Sequence, residues 1–444
     1  MKGLKTRLSS IDFIKCLIIL ILCNYQVVTV IFKDFIALKY LRDILLIMLL
    51  YFSAHKIKNK ISKETLWISI ILIFCVIAAA KSVDVFLGVA SIRKYLFPFG
   101  VYIIAKNINM NVFDRNKEMA VFLMHTAMIL SIWGIFQAWV LGDEFLKSLG
   151  YDTEYSYGYG RVMLRNSFYF GGLGIQRVVS TLSNSNECAL IFGIILIFFI
   201  GNYNKISTKH KKWYAMIILL GFLLTFSRSN FVAFAVVVLF ILFPYIPSKK
   251  KIFLVLSGIV CIVLLLYLWN LDGGIVGKIM KWVGASLSFT DASAAGRSER
   301  WRIAGKAVLD HPFGLGFGHV GSLARDAGYE FYACENSYLA LAIELGIIGM
   351  VSYVMLMLII YKKLEKRRKY FGRKGCAMEK RLCACGKAII LYYMAAMFFS
   401  NYILDLEAMS IMYLCIGIIM AFTAKDRRQV DEEHELGLED GGKE

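Results

Sequence analysis

Residues 335–361 read ENSYLALAIELGIIGMVSYVMLMLIIY, and residues 362–374, which follow directly, read KKLEKRRKYFGRK. After Glu335 and Asn336 the first stretch carries a single carboxylate, Glu344, in an apolar run of about 20 residues, the length that carries a helix across a bilayer. The second is dense in Lys and Arg, which marks the end of a span that stays in the cytoplasm. Eleven of the 51 Lys and Arg fall within 362–387 alone. One spanning helix with its orientation is therefore readable here, and the rest of the chain can be placed relative to it.

Outward from this span the same alternation repeats. The 444 residues are 58% hydrophobic with 4 Pro, and a mean hydropathy of +0.62 excludes an ordinary soluble domain. Apolar runs at about 11–32, 36–54, 65–80, 86–105, 119–141, 186–203, 213–227, 229–246, 252–270, 336–361, 388–403 and 406–424 predict about 12 transmembrane helices. No strand alternation of the β-barrel kind is present, so helices must satisfy the backbone. The expected fold is all-α: one transmembrane domain over 1–424, with two long extracytoplasmic loops at 142–185 and 271–335, the later one containing short amphipathic helices. A basic cytoplasmic loop at 362–387 and an acidic cytoplasmic tail at 425–444 complete it. The basic N-terminus lacks a small-residue cleavage site after its apolar run and reads as a retained first span. With both termini inside, every short cytoplasmic loop satisfies the positive-inside rule, as in the inner membrane of a bacterium.

The ten Cys form no disulfide framework. Most lie in spans or in the basic loop, where C-x6-C-x-C is not a zinc spacing; no metal or cofactor site is expected. Cys188 and Cys334 both approach the outer face and leave a disulfide open. In the fourth span, Arg93 and Lys94 need a cavity or a partner, because charges inside a span are costly.

Eleven Lys and Arg lie in the two long outer loops, on the side usually depleted of them, and so favour an anionic ligand. Residues 150–189 read GYDTEYSYGYGRVMLRNSFYFGGLGIQRVVSTLSNSNECA. Here Arg161, Arg165 and Arg177 accompany Tyr169 and six other aromatic residues. Aromatic faces stack on sugar rings and Arg forks onto phosphate, so the loop reads as a surface for a phosphorylated glycan, or else as an interfacial aromatic belt. Nucleic acid is excluded by the outer location and the absence of a recognisable module. The tightest outer turn, Phe226 to Ser229, places Arg228 where two apolar helices end, facing a shared cavity.

In the second outer loop a helix is expected over 298–310, capped by Ser298 and stopped before Pro312. At 100° per residue Arg297, Arg300, Trp301, Ala304, Ala307 and Val308 share one side, and Arg302, Lys306 and Leu309 the other. Laid on the bundle by its apolar side, this helix turns Arg297 and Arg300 inward. PFGLGFGHVG (312–321) is a tight turn with too little context for a phosphate loop, its glycines being there for packing. Glu335 then stands where the loop enters the next helix, either complementing the helix N-terminus or serving as a general base toward the arginines. Glu344, about 180° round the helix from Glu335, reads as structural.

In order along the chain, RVVSTLSNSNECA (177–189), LLTFSRSN (223–230), GRSERW (296–301), HPFGLGFG (311–318) and ENSYLALAIELGIIG (335–349) resemble the signature of the O-antigen polymerase and O-antigen ligase family, with its Wzy-like repeat-unit polymerases. The resemblance implies a glycosyltransferase acting outside the membrane on a polyprenyl-diphosphate-linked oligosaccharide, with membrane lipid around it, and without cofactor or required metal. It also implies a flippase and a chain-length regulator in the same pathway. Arg228 and Arg297 match the family's key arginines, and Arg177 is the first-loop counterpart. Arg161, Arg165, Arg300, Asn336, Trp301 and Tyr169 are expected to line the substrate. Glu335 stands where the family has His; a carboxylate is the weaker base unless its surroundings change that. This departure favours a repeat-unit polymerase making a capsule, exopolysaccharide or O-antigen over an O-antigen ligase transferring a glycan to another acceptor. A lipid-linked glycan flippase, from a different class, would want charge distributed through the spans rather than gathered in outer loops.

Overall fold

A computed structural model describes residues 10–32, 35–54, 62–107, 113–151, 153–156, 161–165, 168–170, 175–204, 206, 208–245, 292–321 and 328–440. The expected ninth span (252–270) and most of the first half of the second outer loop lie outside these residues.

Of the described residues 79% are helical. The helices are α1 (Ser10–Leu22), α2 (Ile36–Ala54), α3 (Lys63–Ala80), α4 (Val85–Asn107), α5 (Phe113–Phe136), α6 (Gly142–Leu149), α7 (Ser185–Asn202), α8 (Lys211–Leu224), α9 (Arg228–Val237), α10 (Ala292–Asp310), α11 (Ser337–Arg373), α12 (Ala377–Met397) and α13 (Leu406–Asp440). Among the described residues six helices are long and apolar enough to cross a membrane, and a seventh span forms if α1 is counted with the π-helical segment Asn24–Ile31, which turns from it by 57°. This is a multi-pass membrane protein.

α7 and the first part of α13 form the centre. Both are apolar on every side and buried on nearly every side, the pattern of a helix surrounded by other helices. α13 runs along α4, α12 along α7 and α11, α5 along α8, and α11 along α3. Close approach depends on small residues: a Cβ on Gly193 of α7 would sit 2.5 Å from the Tyr392 hydroxyl of α12.

Charges buried in the bundle are met by partners, which is how a membrane interior tolerates them. Nη2 of Arg93 lies 2.6 Å from the Asp43 carboxylate, and Nη1 of Arg42 lies 3.5 Å from that of Glu407. Lys94 is within electrostatic reach of Asp405, Glu344 and Glu407. The charged pair Arg93–Lys94 thus faces carboxylates on three other helices.

Several expectations are corrected. The first long loop, 142–185, carries regular structure that the sequence reading did not expect: among its described residues are α6 and two antiparallel hairpins, β1 (Thr153–Ser156) with β2 (Arg161–Leu164), and β3 (Tyr169–Phe170) with β4 (Ile175–Gln176). β-branched and aromatic residues flanked by glycines pair readily in this way. The basic segment 362–387 is helical except around Lys374–Cys376, because α11 continues to Arg373 and α12 begins at Ala377. The amphipathic helix of the second loop starts at Ala292, so Ser298 is an exposed position inside it and not its cap. The preceding ASAAG is rich in alanine, the best helix former, and extends the helix by six residues. Cys188 and Cys334 are both buried and unbridged.

Candidate active site

Three loop motifs meet at one end of the bundle. The first is 177–189, where Arg177 follows the β3–β4 hairpin and Asn184 caps α7, its Oδ1 accepting the Glu187 N–H at 2.9 Å. The second is the turn between α8 and α9. There Phe226 has φ of +49°, a left-handed conformation that bulky residues rarely adopt and that tends to mark functional turns. The third is α10 together with the entry to α11.

The first two motifs are bonded to each other. Arg177 donates from Nε to the Thr225 carbonyl at 2.7 Å and from Nη2 to Asn186 Oδ1 at 2.9 Å. The same Asn186 oxygen accepts from Ser227 Oγ at 2.9 Å. Asn230 continues the network, donating to Ser227 Oγ at 2.9 Å and to the Tyr402 hydroxyl at 2.7 Å. Tyr402 in turn gives its backbone N–H to Ser337 Oγ at 2.8 Å, which ties the cluster to the start of α11. The Phe170 ring lies 4.4 Å from the Phe226 ring and covers the turn. Burial, reinforced by the nearby positive charges of Arg228 and Arg297 and opposed by Tyr402, lowers the Arg177 guanidinium to about 10. The three arginines therefore share one electrostatic neighbourhood, in which Arg177 directs bonds at the scaffold.

The third motif supplies the charge that faces them. Glu335 Oε2 accepts from Arg297 Nε at 2.8 Å, and Oε1 accepts from Arg300 Nη1. The helix phase read from sequence is the observed one: Ala304, Ala307 and Val308 are buried while Leu309 is 79% exposed. Trp301 packs its ring against Phe398, with centroids 5.2 Å apart, and so fixes α10 on the loop between α12 and α13. Its indole N–H is buried without an acceptor among the described residues.

Not every expected residue joins this group. Asn336 is the N-cap of α11: its Oδ1 accepts from the N–H groups of Tyr338 and Leu339, and its Nδ2 donates to the Phe398 carbonyl at 3.1 Å. Both ends of that amide are taken up by the scaffold. Tyr169 donates its hydroxyl to Asp143 and packs beside Tyr151 and Phe168, on the far side of its hairpin from Phe170. Adjacent residues of a strand face opposite ways, and this one faces away from the arginines. Arg165 is half-buried in the β2–β3 connection. The expectation for the Arg161 side chain lies outside the described residues. Glu344 stands apart from the group: it is 2% exposed and lies against the amides of Gly318 and Val320.

Asn186, Ser227, Asn230 and Tyr402 are the residues that sequence reasoning passed over. The first three stand inside quoted motifs, so their signal was adjacency to Arg177 and Arg228. Tyr402 had none, since FFSNYILD carries no motif.

Residues 213–354 match a protein family described as O-antigen ligase, consistent with the O-antigen polymerase and ligase resemblance. Members of that family act on lipid-linked glycans in membranes. The matched stretch contains Arg228, Arg297, Arg300, Trp301 and Glu335 but begins after Arg177, which the structure brings beside them. No curated protein matches the chain.

Proposed function

We propose that this chain, whose residues 213–354 carry the O-antigen-ligase-type region, polymerises polyprenyl-diphosphate-linked repeat units into a surface polysaccharide. The reaction takes place on the outer face of a bacterial cytoplasmic membrane. The observation that carries the reading is Glu335 bridging Arg297 and Arg300 beside Arg228: one carboxylate and three guanidinium groups from two separate motifs at one end of a membrane bundle.

The acceptor hydroxyl oxygen attacks the anomeric carbon of the donor's first sugar. A new C–O bond forms, the bond from that carbon to the diphosphate breaks, and the diphosphate leaves with the electron pair. Arg228, Arg297 and Arg300 stabilise the growing negative charge, a contribution of fixed cations that is worth most where water is excluded. Trp301 offers its unpartnered indole N–H to the same anion. In the resting site Glu335 holds the guanidinium groups that the diphosphate needs, so donor binding releases the carboxylate and makes it available to accept the hydroxyl proton. Arg177, which donates to the Thr225 carbonyl and to Asn186, holds the Arg228 turn in place.

Asp and Glu are weaker bases than His, and a repeat-unit acceptor fits the site better than the ligase alternative on that ground. Complementation tests the assignment: in a strain lacking the native protein, Arg228→Ala and Glu335→Ala should each abolish polymer. Full yield and chain length from both would overturn it.

A further inference from the structure

The helix α11 is broken. Gly346 has φ of +79° and ψ of 169°, and the turn after α10 is inserted at the break. Leu315 N–H donates to the Ile343 carbonyl at 2.7 Å, Gly316 N–H to that of Glu344 at 3.2 Å, and Ile347 N–H to that of Pro312 at 2.9 Å. The glycines of PFGLGFGHVG are thereby explained as close contacts: a Cβ on Gly314 would meet Gly346 N at 2.5 Å.

The break leaves a cavity of about 310 Å³ between α3 and α11, at the lower end of the size range of small-molecule sites. It is lined mainly by Phe74, Ile77, Phe313, Leu345 and Ile348, with the buried Glu344 in its inner wall and Lys81 at its rim. The lining is open on its outer side, Phe313 being 76% and Ile348 56% exposed, where a membrane protein meets lipid. The Lys81 ammonium is exposed and donates to the carbonyls of Phe313 and Gly314 at 3.4 and 3.3 Å, which leaves one N–H of three for a further acceptor. It has no carboxylate partner among the described residues. The Glu344 carboxylate points to the amides of Gly318 and Val320, and its Oε2 is left without a hydrogen-bond partner among the described residues. An exposed cation above an apolar crevice is complementary to a lipid phosphate with its chain below.

The cavity is at the same end of the bundle as Glu335. α3 and α11 are antiparallel: Glu64 at the start of α3 lies 2.5 Å from Lys363 near the far end of α11, while Lys81 at the other end of α3 meets the break. Glu335 and Gly346 are separated by no more than about 20 Å, two extended residues at about 3.5 Å and the helical ones at about 1.5 Å each.

We propose that this cavity seats the second lipid-linked reactant, with the acceptor's diphosphate on Lys81 and its first isoprene units against Phe74, Ile77 and Ile348. The inference rests on the polymerase reading. In a polymerisation both reactants carry a polyprenyl diphosphate, but only the donor's leaves. The acceptor reacts through a hydroxyl on a sugar distant from its own diphosphate, so that diphosphate must sit away from Arg228 and Arg297 by the reach of a repeat unit. Lys81, at the end of α3 and against the turn inserted at the Gly346 break, is a cation set apart from Glu335 along α11 and meets that requirement.

The test uses purified full-length protein in nanodiscs, a preassembled lipid-linked polymer as donor and a labelled polyprenyl-diphosphate-linked repeat unit as acceptor, each varied separately. Lys81→Ala should raise the acceptor's KM about tenfold, the factor that one charge-assisted hydrogen bond supplies, and leave the donor's KM and kcat unchanged; Lys81→Arg should restore it. Ile348→Trp, which fills the crevice and leaves Lys81 intact, should raise the same KM. An unchanged acceptor KM in both variants, or donor and acceptor KM rising together, overturns the site. So does phosphatidylglycerol in the nanodisc erasing the difference between Lys81→Ala and wild type, since an ordinary phospholipid would then be the occupant. If wild type makes no polymer from the two lipids, the polymerase reading falls and this site with it; a polymerising wild type with an indifferent Lys81→Ala removes the site alone.

Discussion

Glu335 Oε2 accepts a 2.8 Å hydrogen bond from Arg297 Nε, so the resting site already contains a carboxylate where the donor's diphosphate is to bind. The contact is an internal anion that substrate must displace. Glu335→Gln removes that competitor and the base together. The variant should bind inorganic pyrophosphate or polyprenyl diphosphate more tightly than wild type, by up to about tenfold for one charge-assisted pair, while losing polymerisation. Calorimetric titration in detergent checks the first effect, and weaker binding by Glu335→Gln would contradict the displacement.

The arginines that face the anion should behave unlike the one beneath them. Arg297→Ala and Arg228→Ala are expected to lower kcat about 10²- to 10³-fold with the fold intact, the loss seen when a fixed donor to developing charge is removed. Lysine at either position should restore only part, because it offers a point charge in place of a fork. Arg177 is half-buried, and its Nη2 is joined to Asn186 Oδ1 at 2.9 Å. Asn186→Ala should therefore cost stability, about 1–3 kcal/mol for the buried groups left unsatisfied, together with activity, while Asn186→Asp should recover more of both than alanine does. Thermal unfolding in detergent measured beside turnover separates the two classes.

Gly346 is a backbone requirement. At φ +79° and ψ 169° it occupies a region that is essentially glycine's alone, and a Cβ would lie 2.8 Å from the Phe313 carbonyl carbon. Gly346→Ala should lower stability by at least about 1–3 kcal/mol, read as a fall in Tm. An unchanged Tm would mean that α11 runs unbroken.

Much of this was legible beforehand, and the remainder failed for identifiable reasons. Six spans, the inward phase of Arg297 and Trp301, and the separation of Glu335 from Glu344 all follow from apolar length and a 100° period, both of which tertiary packing preserves. The break at Gly346 did not, because LALAIELGIIGM is apolar throughout and hydropathy carries no information about a dihedral angle. Tyr169 and Phe170 are both aromatic, and only the strand pairing with Gln176 and Ile175 decides which of them meets Phe226. Asn186 and Tyr402 are joined through space by Asn230 across more than 170 residues of chain, a separation no local pattern spans.

Asp405, in the short connection before α13, provides a pH dependence. Burial, then the neighbouring charge of Glu407, raises its carboxyl to about 7, with Lys94 opposing. A raised acid favours the fold while it is protonated, so its contribution is complete below the ordinary carboxyl range and is lost as pH rises toward 7. Asp405→Asn keeps the neutral form at every pH. Its Tm advantage over wild type should therefore grow between pH 5 and pH 8, and an advantage that does not change with pH would contradict the assignment.

The central claim is bond formation between lipid-linked glycans by this chain alone. Purified protein reconstituted in nanodiscs, where no membrane gradient exists, is given polyprenyl-diphosphate-linked repeat units, and chain length is followed by gel together with release of free polyprenyl diphosphate. The account expects a ladder of growing polymer with one diphosphate released per unit added, and neither product from Arg228→Ala. Repeat units recovered unjoined from wild type, with no diphosphate released, would contradict it.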